Sequence, residues 1–381
     1  MKRLLDDASV VQRVLDHIDH KTTDASEEVW REPVAHYRSP ERLEQERALV
    51  MRRHPTPLCP SAALPEVGSY VAREAAGTPL FAVRGRDGAV RVFRNACRHR
   101  GTQLVQGEGC AKGFVCRYHG WTYALDGGLL HVPHDDGFPG LEKERLGLVP
   151  VKSVERSGLV FVTQEGSHGD DAEFDDVAPL IPPHAVLIES NVLETAANWK
   201  ILIDSFLEGY HTRFTHRDTF YPVQYDNLTL VETFGSHHRI TFPFRTIEKL
   251  RHIPPAERRI DGRVLTYVYH LFPNVSVVTL PEHMRLLVYE PLSVDRTRVF
   301  GYTLAVPTAR YEGKGTVEYQ RASEFAEAGG REDTEVSLSI QRGLASQANE
   351  HFVFGHYEGA VADFHRNLQA RIDAGLAGDD R

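Results

Sequence analysis

Two short segments of the chain each combine one cysteine with one histidine. Cys97-Arg-His99 is followed, after sixteen residues, by Cys116-Arg-Tyr-His119. Two thiolates and two neutral imidazoles suit the two irons of a [2Fe–2S] cluster. Because imidazoles carry no negative charge, such a cluster has a reduction potential of roughly −150 to +300 mV, against about −400 mV for a plant-type cluster. The four residues therefore predict a cluster that accepts single electrons and passes them on.

A structural zinc site is the alternative interpretation of the same four side chains. Zinc sites of mixed type favour two cysteines separated by two to four residues, whereas each segment here supplies one cysteine and one histidine. A coincidental grouping is the third interpretation. The other two cysteines, Cys59 and Cys110, do not continue the pattern and are interpreted as ordinary small residues. In a chain with so few cysteines, metal binding or catalysis is a commoner use than disulfides.

Length and charge narrow the class of protein. A chain of 381 residues is long enough for two domains. Its net charge of −9 argues against nucleic-acid binding, which needs a basic surface. The N-terminus carries acidic residues without an apolar run, unlike a signal peptide, and no stretch approaches the roughly 18 apolar residues of a membrane span. We expect a cytoplasmic protein that binds neither nucleic acid nor a membrane.

The spacing of apolar residues divides the chain into three regions. Residues 1–53 have helical spacing and are predicted to pack on the C-terminal domain. Residues 54–165 alternate β-branched and polar residues, which predicts a small all-β domain. Residues 166–381 mix strand-like and helical segments, so the whole chain is predicted to be α+β. The acidic stretch 165–176 is predicted to be a linker or a surface loop.

A second group of chemically active residues lies in the C-terminal region. Glu208, His211 and His216 have the spacing Glu-x2-His-x4-His. Two histidines and one carboxylate are the ligands of many non-haem ferrous sites, where they leave coordination positions open for O2. Histidines five residues apart do not share a face of an ideal helix. The chain is therefore predicted to unwind near residues 209–215 if both histidines bind one metal.

Three segments together resemble one enzyme family. CRHRGTQL (97–104) and CRYHGWTYALDG (116–127) resemble the cluster loops of Rieske proteins, and the segment 198–216 resembles the catalytic signature of the large subunits of Rieske non-haem iron aromatic ring-hydroxylating oxygenases. The resemblance extends to members of the carnitine and betaine type. It implies an all-β Rieske domain with a [2Fe–2S] cluster, and a helix-grip-like catalytic domain of antiparallel sheet and helices. It also implies mononuclear Fe(II) bound by His211 and His216.

The same resemblance assigns further site residues. In the family the third iron ligand is an Asp just before a long C-terminal helix, and Asp333 falls on that position in REDTEVSLSIQRGL (331–344). Glu332 competes for the role, and a charged helix start without metal is the other interpretation. Glu208 would link His211 to His119 of a neighbouring subunit instead of binding iron. Most relatives have Asp there, although carnitine-type members use Glu. Asp204 is expected to accept a hydrogen bond behind the metal ligands.

The resemblance also implies the activity and the partners. A terminal oxygenase of this kind uses O2 to hydroxylate, dihydroxylate or oxidatively demethylate a small organic substrate, and aromatic compounds are among the candidates. The chain has no GxGxxG motif in a strand–turn–helix context, so a separate NAD(P)H-dependent reductase, a ferredoxin, or both must deliver the electrons. Transfer between subunits implies a head-to-tail homotrimer. The residues expected to line an apolar substrate pocket, with plain core packing as the alternative, are Phe206, Leu207, Phe214, Phe220 and Tyr221.

Two other classes of protein compete with the oxygenase. One is a Rieske electron-transfer or ligand-sensing protein without oxygenase activity, and the other is a zinc-stabilised binding protein. The predicted triad of His211, His216 and Asp333 favours the enzyme, because an electron carrier has no need of an open iron site.

Overall fold

The computed structural model describes residues 4–165, 180–306 and 316–379. Within these ranges, two compact units divide the chain. One contains residues 4–50 and the chain from 186 onwards, and the other contains residues 51–165 and 180–185. All of the stretch 165–176 except Glu165 lies outside the described residues, so its assignment as a linker stays a prediction, as do the predicted domain boundaries. None of the described helices is long and apolar enough to cross a membrane.

The N-terminal segment is only partly the helical region that its spacing predicts. Helix α1 begins after Asp6, whose side chain accepts a hydrogen bond from the backbone N–H of Ser9 and so caps it. Its apolar face, which includes Val10 and Val14, is buried. A strand that the spacing did not predict follows, because Trp30–Pro33 pairs with a strand near the C-terminus. The elements are α1 (Asp7–His20), β1 (Trp30–Pro33), α2 (Ala35–Arg38), α3 (Pro40–Gln45) and a π-helical turn (Glu46–Met51).

Residues 54–165 fold as antiparallel sheet, as their alternation predicts. The turn at Asp87-Gly88 joins two long strands, and the order of the seven-stranded sheet is β2-β11-β10-β5-β4-β3-β6, beside a three-stranded sheet β7-β8-β9. The strands are β2 (Thr56–Pro60), β3 (Ser69–Ala75), β4 (Thr78–Arg84), β5 (Val90–Arg94), β6 (Gly107–Cys110), β7 (Phe114–Val115), β8 (Thr122–Tyr123), β9 (Leu129–His131), β10 (Pro150–Arg156) and β11 (Leu159–Thr163). Short 3-10 turns lie at Ser61–Ala63, Asp135–Gly137 and Lys143–Arg145.

An aromatic core lies beneath the strands of this β unit. Phe81 packs edge-on against Phe114, with ring centroids 4.8 Å apart. The same buried cluster includes Trp121, and it also contains Cys97 and Cys116. The two thiols therefore lie against a rigid apolar core, and the loops that carry them are held from beneath.

The C-terminal unit is built on a second antiparallel sheet of seven strands, in the order β12-β18-β17-β16-β15-β14-β13. Its elements are β12 (Val186–Thr195), α4 (Trp199–Asp204), α5 (Thr212–Thr215), β13 (Leu230–Phe234), β14 (His237–Pro243), β15 (Leu265–Leu271), β16 (Val275–Thr279), β17 (Met284–Ser293), β18 (Arg296–Ala305), α6 (Val317–Gly343), β19 (His351–Phe354) and α7 (Gly359–Asp379). Turns of 3-10 helix lie at Arg245–His252, Pro255–Glu257, Leu344–Ser346 and His356–Glu358. A β domain followed by a sheet with long helices confirms the predicted α+β class.

Two local features of this unit position the site. The helical signal after Asn198 breaks at Ser205, and a one-turn helix resumes at Thr212, so the chain is unwound between the two pieces. Helix α6 begins at Val317, capped by Thr316. The expectation that Asp333 precedes the long helix is therefore wrong, since Asp333 lies in its interior. The charged residues around position 333 therefore lie inside a helix that begins more than four turns earlier.

Candidate metal centres

The two cysteine loops have the same backbone geometry. The Cys97 N–H donates to the carbonyl of Thr102, and the Gly101 N–H donates back to the Cys97 carbonyl, at 2.8 and 2.9 Å. The second loop repeats both bonds at the same distances, with Cys116, Trp121 and Gly120 in the equivalent places. The two glycines have φ of +79° and +73°, a region that side chains disfavour. The tight turns thus require glycine four residues after each cysteine.

These loops bring the four predicted cluster residues together. The rings of His99 and His119 lie 4.6 Å apart between centroids. His99 stacks on Trp121 at 4.9 Å, and this contact fixes its ring plane. Cys97 and Cys116 are each only 3 % exposed, whereas His99 is partly exposed and His119 is exposed. Thiols beneath and imidazoles at the surface are the arrangement that a cluster with its histidine-bound iron facing outwards needs.

The protonation behaviour of the loops suits ligands. Burial alone would raise the pKa of Cys116, but the backbone N–H of Tyr118 and the neighbouring Cys97 thiol outweigh it, and the pKa is lowered. Burial, together with the nearby His119 and Arg100, lowers the pKa of His99 and keeps its imidazole neutral. Metals bind thiolates and neutral imidazoles. The residues present therefore fit a cluster with two cysteine and two histidine ligands.

A tyrosine that the sequence pattern did not single out contacts the first loop. The Tyr123 hydroxyl lies 3.3 Å from the Cys97 sulfur and accepts a hydrogen bond from the Arg98 N–H at 2.9 Å. Burial and the Cys97 thiol raise the pKa of Tyr123, so the hydroxyl keeps its proton and can donate it to a thiolate. The alternation of strand β8 gave the only hint, because it turns Tyr123 towards the core.

His211, His216 and Asp333 form the second centre. The two Nε2 atoms are 3.2 Å apart, and the Asp333 Oδ1 atom lies 3.5 Å from the first and 3.0 Å from the second. Ligand atoms about 2.1 Å from one metal ion and at right angles to each other are separated by about 3 Å. The three atoms thus form a triangle of the size that one face of a six-coordinate ion requires.

Each histidine of this triangle has a carboxylate behind it. Glu208 pairs with Nδ1 of His211 and also accepts the backbone N–H groups of Tyr210 and His211. Glu332 pairs with Nδ1 of His216 at 2.7 Å and accepts the Thr219 hydroxyl at 2.6 Å. A carboxylate on Nδ1 fixes the ring and directs the Nε2 lone pair towards a metal. Glu332, the predicted competitor of Asp333, therefore supports a histidine from behind, and sequence reasoning missed this role.

Asp204 does not have the place expected for it. Its carboxylate accepts the Tyr37 hydroxyl at 2.9 Å and pairs with Nε2 of His365 at 3.0 Å. The ring nitrogens of His211 and His216 are served by other carboxylates. The correction follows from the break in the helix, since Asp204 ends α4 and faces α7 while the histidines lie beyond the unwound segment.

The electrostatics of the second centre favour a cation. Burial would lower the pKa of His211, but Glu208 and Asp333 outweigh it, and the pKa is raised. A raised pKa means that positive charge is stabilised at this position. Burial, and then Glu208 and Asp204, raise the pKa of the nearby Glu358. The donor set and its charge thus fit a divalent iron.

The metal triangle lies between two cavities. Both contain Ser205, His211 and Asp333 in their walls. The larger, of about 350 Å³, also has the carboxylates of Asp204, Glu208 and Glu358 in its wall. The smaller, of about 160 Å³, is mainly apolar. Five phenylalanines contribute to its wall: Phe206, Phe220, Phe242, Phe244 and Phe325.

The structure places two of the five predicted pocket residues in the wall of the apolar cavity, Phe206 and Phe220. The other three are corrections. Leu207 is fully buried in the core. Phe214 is 82 % exposed, because the one-turn helix α5 directs Thr212 inwards and the residue two positions later outwards. Tyr221 lies against the Arg213 guanidinium, 5.9 Å from it.

Comparison with known proteins agrees with both centres. Residues 184–374, half of the chain, match the family of the ring hydroxylating alpha subunit (catalytic domain). Residues 54–151 match the Rieske [2Fe–2S] domain. The chain belongs to the family of ring-hydroxylating oxygenase alpha subunits. It is therefore the terminal oxygenase component of a Rieske oxygenase, and its cofactors are a Rieske [2Fe–2S] cluster and mononuclear iron.

Similar proteins include oxygenases of quaternary ammonium compounds. The carnitine monooxygenase oxygenase subunit of Escherichia coli K12 is 27 % identical over 91 % of this chain and 94 % of its own length. The chloroplastic choline monooxygenase of Spinacia oleracea is 24 % identical over 81 % of this chain and 70 % of its own length. The crystal structure of the quaternary ammonium Rieske monooxygenase CntA with L-carnitine covers 97 % of this chain and 99 % of that chain, with a TM-score of 0.75 and 21 % identity.

Proposed function

We propose that this oxygenase hydroxylates a small quaternary ammonium compound at a carbon bound to nitrogen. The observation that carries the proposal is the opening of the His211, His216 and Asp333 triangle into a cavity walled by phenylalanine rings. In this assignment the [2Fe–2S] cluster is bound by Cys97, His99, Cys116 and His119. The three residues of the triangle hold the iron.

The reaction combines the substrate R–H with O2, two electrons and two protons, and yields R–OH and water. Ferrous iron, when bound, supplies the centre at which O2 is reduced and one oxygen atom is transferred. The chain itself orients and shields the reactants. Glu208 and Glu332 hold a proton on Nδ1 of each histidine, so that both Nε2 atoms face the iron. The phenylalanine wall keeps water from the reacting carbon.

The cavity wall suits a cationic alkylammonium group. Aromatic rings attract quaternary ammonium ions through their negative faces, and five rings surround this small cavity. Hydroxylation of an N–CH2 carbon gives a carbinol, which releases an aldehyde, a tertiary amine and a proton. Relatives named for carnitine and choline oxidation match over most of the chain. Ring hydroxylation of a neutral aromatic compound is the second candidate, because the same rings would stack on it.

Electron delivery is proposed to occur between subunits of a homotrimer. Glu208 contacts His211 and lies in the wall of the acidic cavity, whose rim carries the exposed side chains of Val336, Ile340 and Val353. The cluster loops present the opposite character, with an exposed Tyr118 and three exposed arginines, Arg98, Arg100 and Arg117. Opposite charge and apolar surface on two parts of one chain support a ring of identical subunits. A separate reductase feeds the cluster.

The experiment is oxygen uptake by the iron-loaded protein with a reductase and a panel of substrates. Quaternary ammonium compounds should give coupled uptake together with equal amounts of aldehyde and tertiary amine. The Asp333→Ala protein serves as the control for uptake that does not depend on the iron. Coupled uptake with aromatic hydrocarbons alone, and diol or phenol products, would overturn the proposed substrate class in favour of the second candidate.

A further inference from the structure

The apolar cavity has one charged wall residue besides the metal triangle, among the residues that the structure describes. Arg285 lies on strand β17, in register with Val278 of β16. Both side chains, and that of Leu287 two positions later, are in the cavity wall. Because strand residues two apart share a face of the sheet, the guanidinium projects from the same surface that supports the phenylalanine rings.

The guanidinium has unused hydrogen-bonding capacity within the described residues. Among these residues, Arg285 forms an ion pair with Glu327, in which Nη2 lies 3.3 Å from Oε1. Glu327 is half-exposed on helix α6 and also accepts the Ser323 hydroxyl at 3.0 Å. An arginine carries five N–H donors, and a long ion pair with an exposed partner adds little stability. An anion in the cavity can therefore replace or share this contact at small cost.

The position of Arg285 also sets the distance between a bound anion and the metal triangle. Glu327 and Asp333 lie on the same helix, six residues and thus about 9 Å apart along its axis. A group bound at Arg285 is therefore separated from the metal triangle by the length of several carbon–carbon bonds. At the metal end of the cavity, the Phe220 ring lies 4.5 Å from the His216 ring and 4.8 Å from the Phe325 ring, between centroids.

From this placement we propose that Arg285 binds a carboxylate of the substrate, and that the substrate is a zwitterion with its ammonium end at the iron. The inference rests on the proposed function and narrows its substrate class. A planar guanidinium offers two parallel N–H groups to the two oxygens of a carboxylate, which gives both strength and orientation. Arginine at the far end and aromatic rings near the iron recognise the two charges of such a molecule separately.

The test uses two pairs of probes that differ only in the negative charge. The first pair is 4-(trimethylammonio)butanoate and its methyl ester, and the second is 4-phenylbutanoate and its methyl ester. Dissociation constants are measured by calorimetry on the iron-loaded protein, and KM and kcat by coupled oxygen uptake. A hydrogen-bonded ion pair corresponds to roughly a 10- to 100-fold change in affinity. We expect the wild-type protein to bind the zwitterion at least about tenfold more tightly than its ester.

Substitutions separate recognition from a structural role. Arg285→Gln should weaken binding of the zwitterion about 10- to 100-fold, mainly through KM, and should leave the ester unchanged. Glu327→Gln removes the competing carboxylate and should tighten binding of the zwitterion, an effect that no loss of stability can produce. Arg296→Gln is the control, because Arg296 is exposed, lies on the adjacent strand β18 and pairs with Glu194.

The outcomes distinguish the two levels of the proposal. If neither acid binds better than its ester, or if Arg285→Gln weakens acid and ester equally, the role of Arg285 is wrong. If only the phenyl pair is bound and oxidised, the ammonium class is wrong. The difference between acid and ester in that pair then decides the role of Arg285 by itself.

Discussion

The two metal centres of this chain are constructed in opposite ways. The cluster residues lie within one short stretch, on two loops with the same hydrogen bonds, and their thiols are buried in an aromatic core. The proposed iron ligands come from the two ends of one short helix, α5, and from the long helix α6. Each of the two histidines pairs with a carboxylate. Among the described residues, no carboxylate contacts Cys97 or Cys116 in this way.

The difference corresponds to what each centre must do. A cluster only changes its charge by one electron, so rigid loops and fixed hydrogen bonds are sufficient. An oxygenase iron has to keep positions open while its histidines stay in place, and the carboxylates behind the rings supply that support. We therefore expect substitutions behind the iron to disturb either metal binding or turnover, whereas those behind the cluster should change only its reduction potential.

The largest expected effect is on the iron centre alone. Asp333→Ala should lower turnover by at least about 1,000-fold, equivalent to about 4 kcal/mol, because the triangle loses one corner. The cluster spectrum should be unchanged, and iron analysis should find two irons per chain instead of three. Glu335→Ala, on the exposed side of the same helix, is the control. Full activity of Asp333→Ala would remove this residue from the iron ligands.

Glu208→Gln tests the connection between the centres. Both metals should remain bound, because Glu208 contacts Nδ1 of His211 and lies outside both proposed sets of metal ligands. Single-turnover product formation should slow by about 100-fold, within the range of effects seen when the partner of a metal-bound histidine is replaced. Glu358→Gln, in the same acidic cavity, should have a much smaller effect. An unchanged single-turnover rate would exclude the bridging role.

Glu332→Gln sharpens the contrast between the two carboxylates. The amide is a weaker acceptor for Nδ1 of His216 and for the Thr219 hydroxyl. Iron affinity, measured by competition with a chelator, should therefore fall about 10-fold. The rate of product formation at saturating iron should change little. If iron affinity were unaffected, Glu332 would have no part in the centre.

The smallest effect is expected behind the cluster. Tyr123→Phe removes the hydroxyl beside the Cys97 sulfur. Loss of one hydrogen bond of about 1 kcal/mol should lower the reduction potential by about 40 to 50 mV. Tyr70→Phe, which alters the same aromatic core, is the control and should leave the potential unaltered. A large loss of cluster instead would make the hydroxyl a structural requirement and weaken the comparison.

Sequence reasoning reached the cluster residues more fully than the iron site, for a physical reason. Cys97 and His99, like Cys116 and His119, are brought together by local turns, so their spacing already contains the geometry. Glu332 contacts Nδ1 of a histidine that is 116 residues away in sequence. Only the packing of α6 on the unwound segment decides that Glu332 lies behind this histidine and that Asp333 lies beside its Nε2 atom. Neighbours on a helix point about 100° apart, and the sequence alone does not show which one faces the metal.

The substrate pocket was the least predictable part. Proximity in sequence suggested Phe214, yet one helical turn places it in solvent. Phe325 and Arg285 come from α6 and β17, elements whose facing side depends on how helix and sheet pack. The α+β fold class, by contrast, could be predicted from the alternation of strand residues and from the family resemblance. The structure confirmed the fold class, and the family comparison confirmed the resemblance.

Electron transfer between subunits is tested most directly by complementation between two inactive variants. Asp333→Ala is expected to keep the cluster and lose the iron, and Cys116→Ser is expected to keep the iron and lose the cluster. Each is co-expressed with the other under separate tags, and mixed oligomers are isolated by sequential purification and assayed for coupled oxygen uptake. Each variant alone should be inactive, and mixed oligomers should regain a substantial fraction of wild-type turnover. Mixed oligomers as inactive as either parent would contradict electron transfer from the cluster of one chain to the iron of its neighbour.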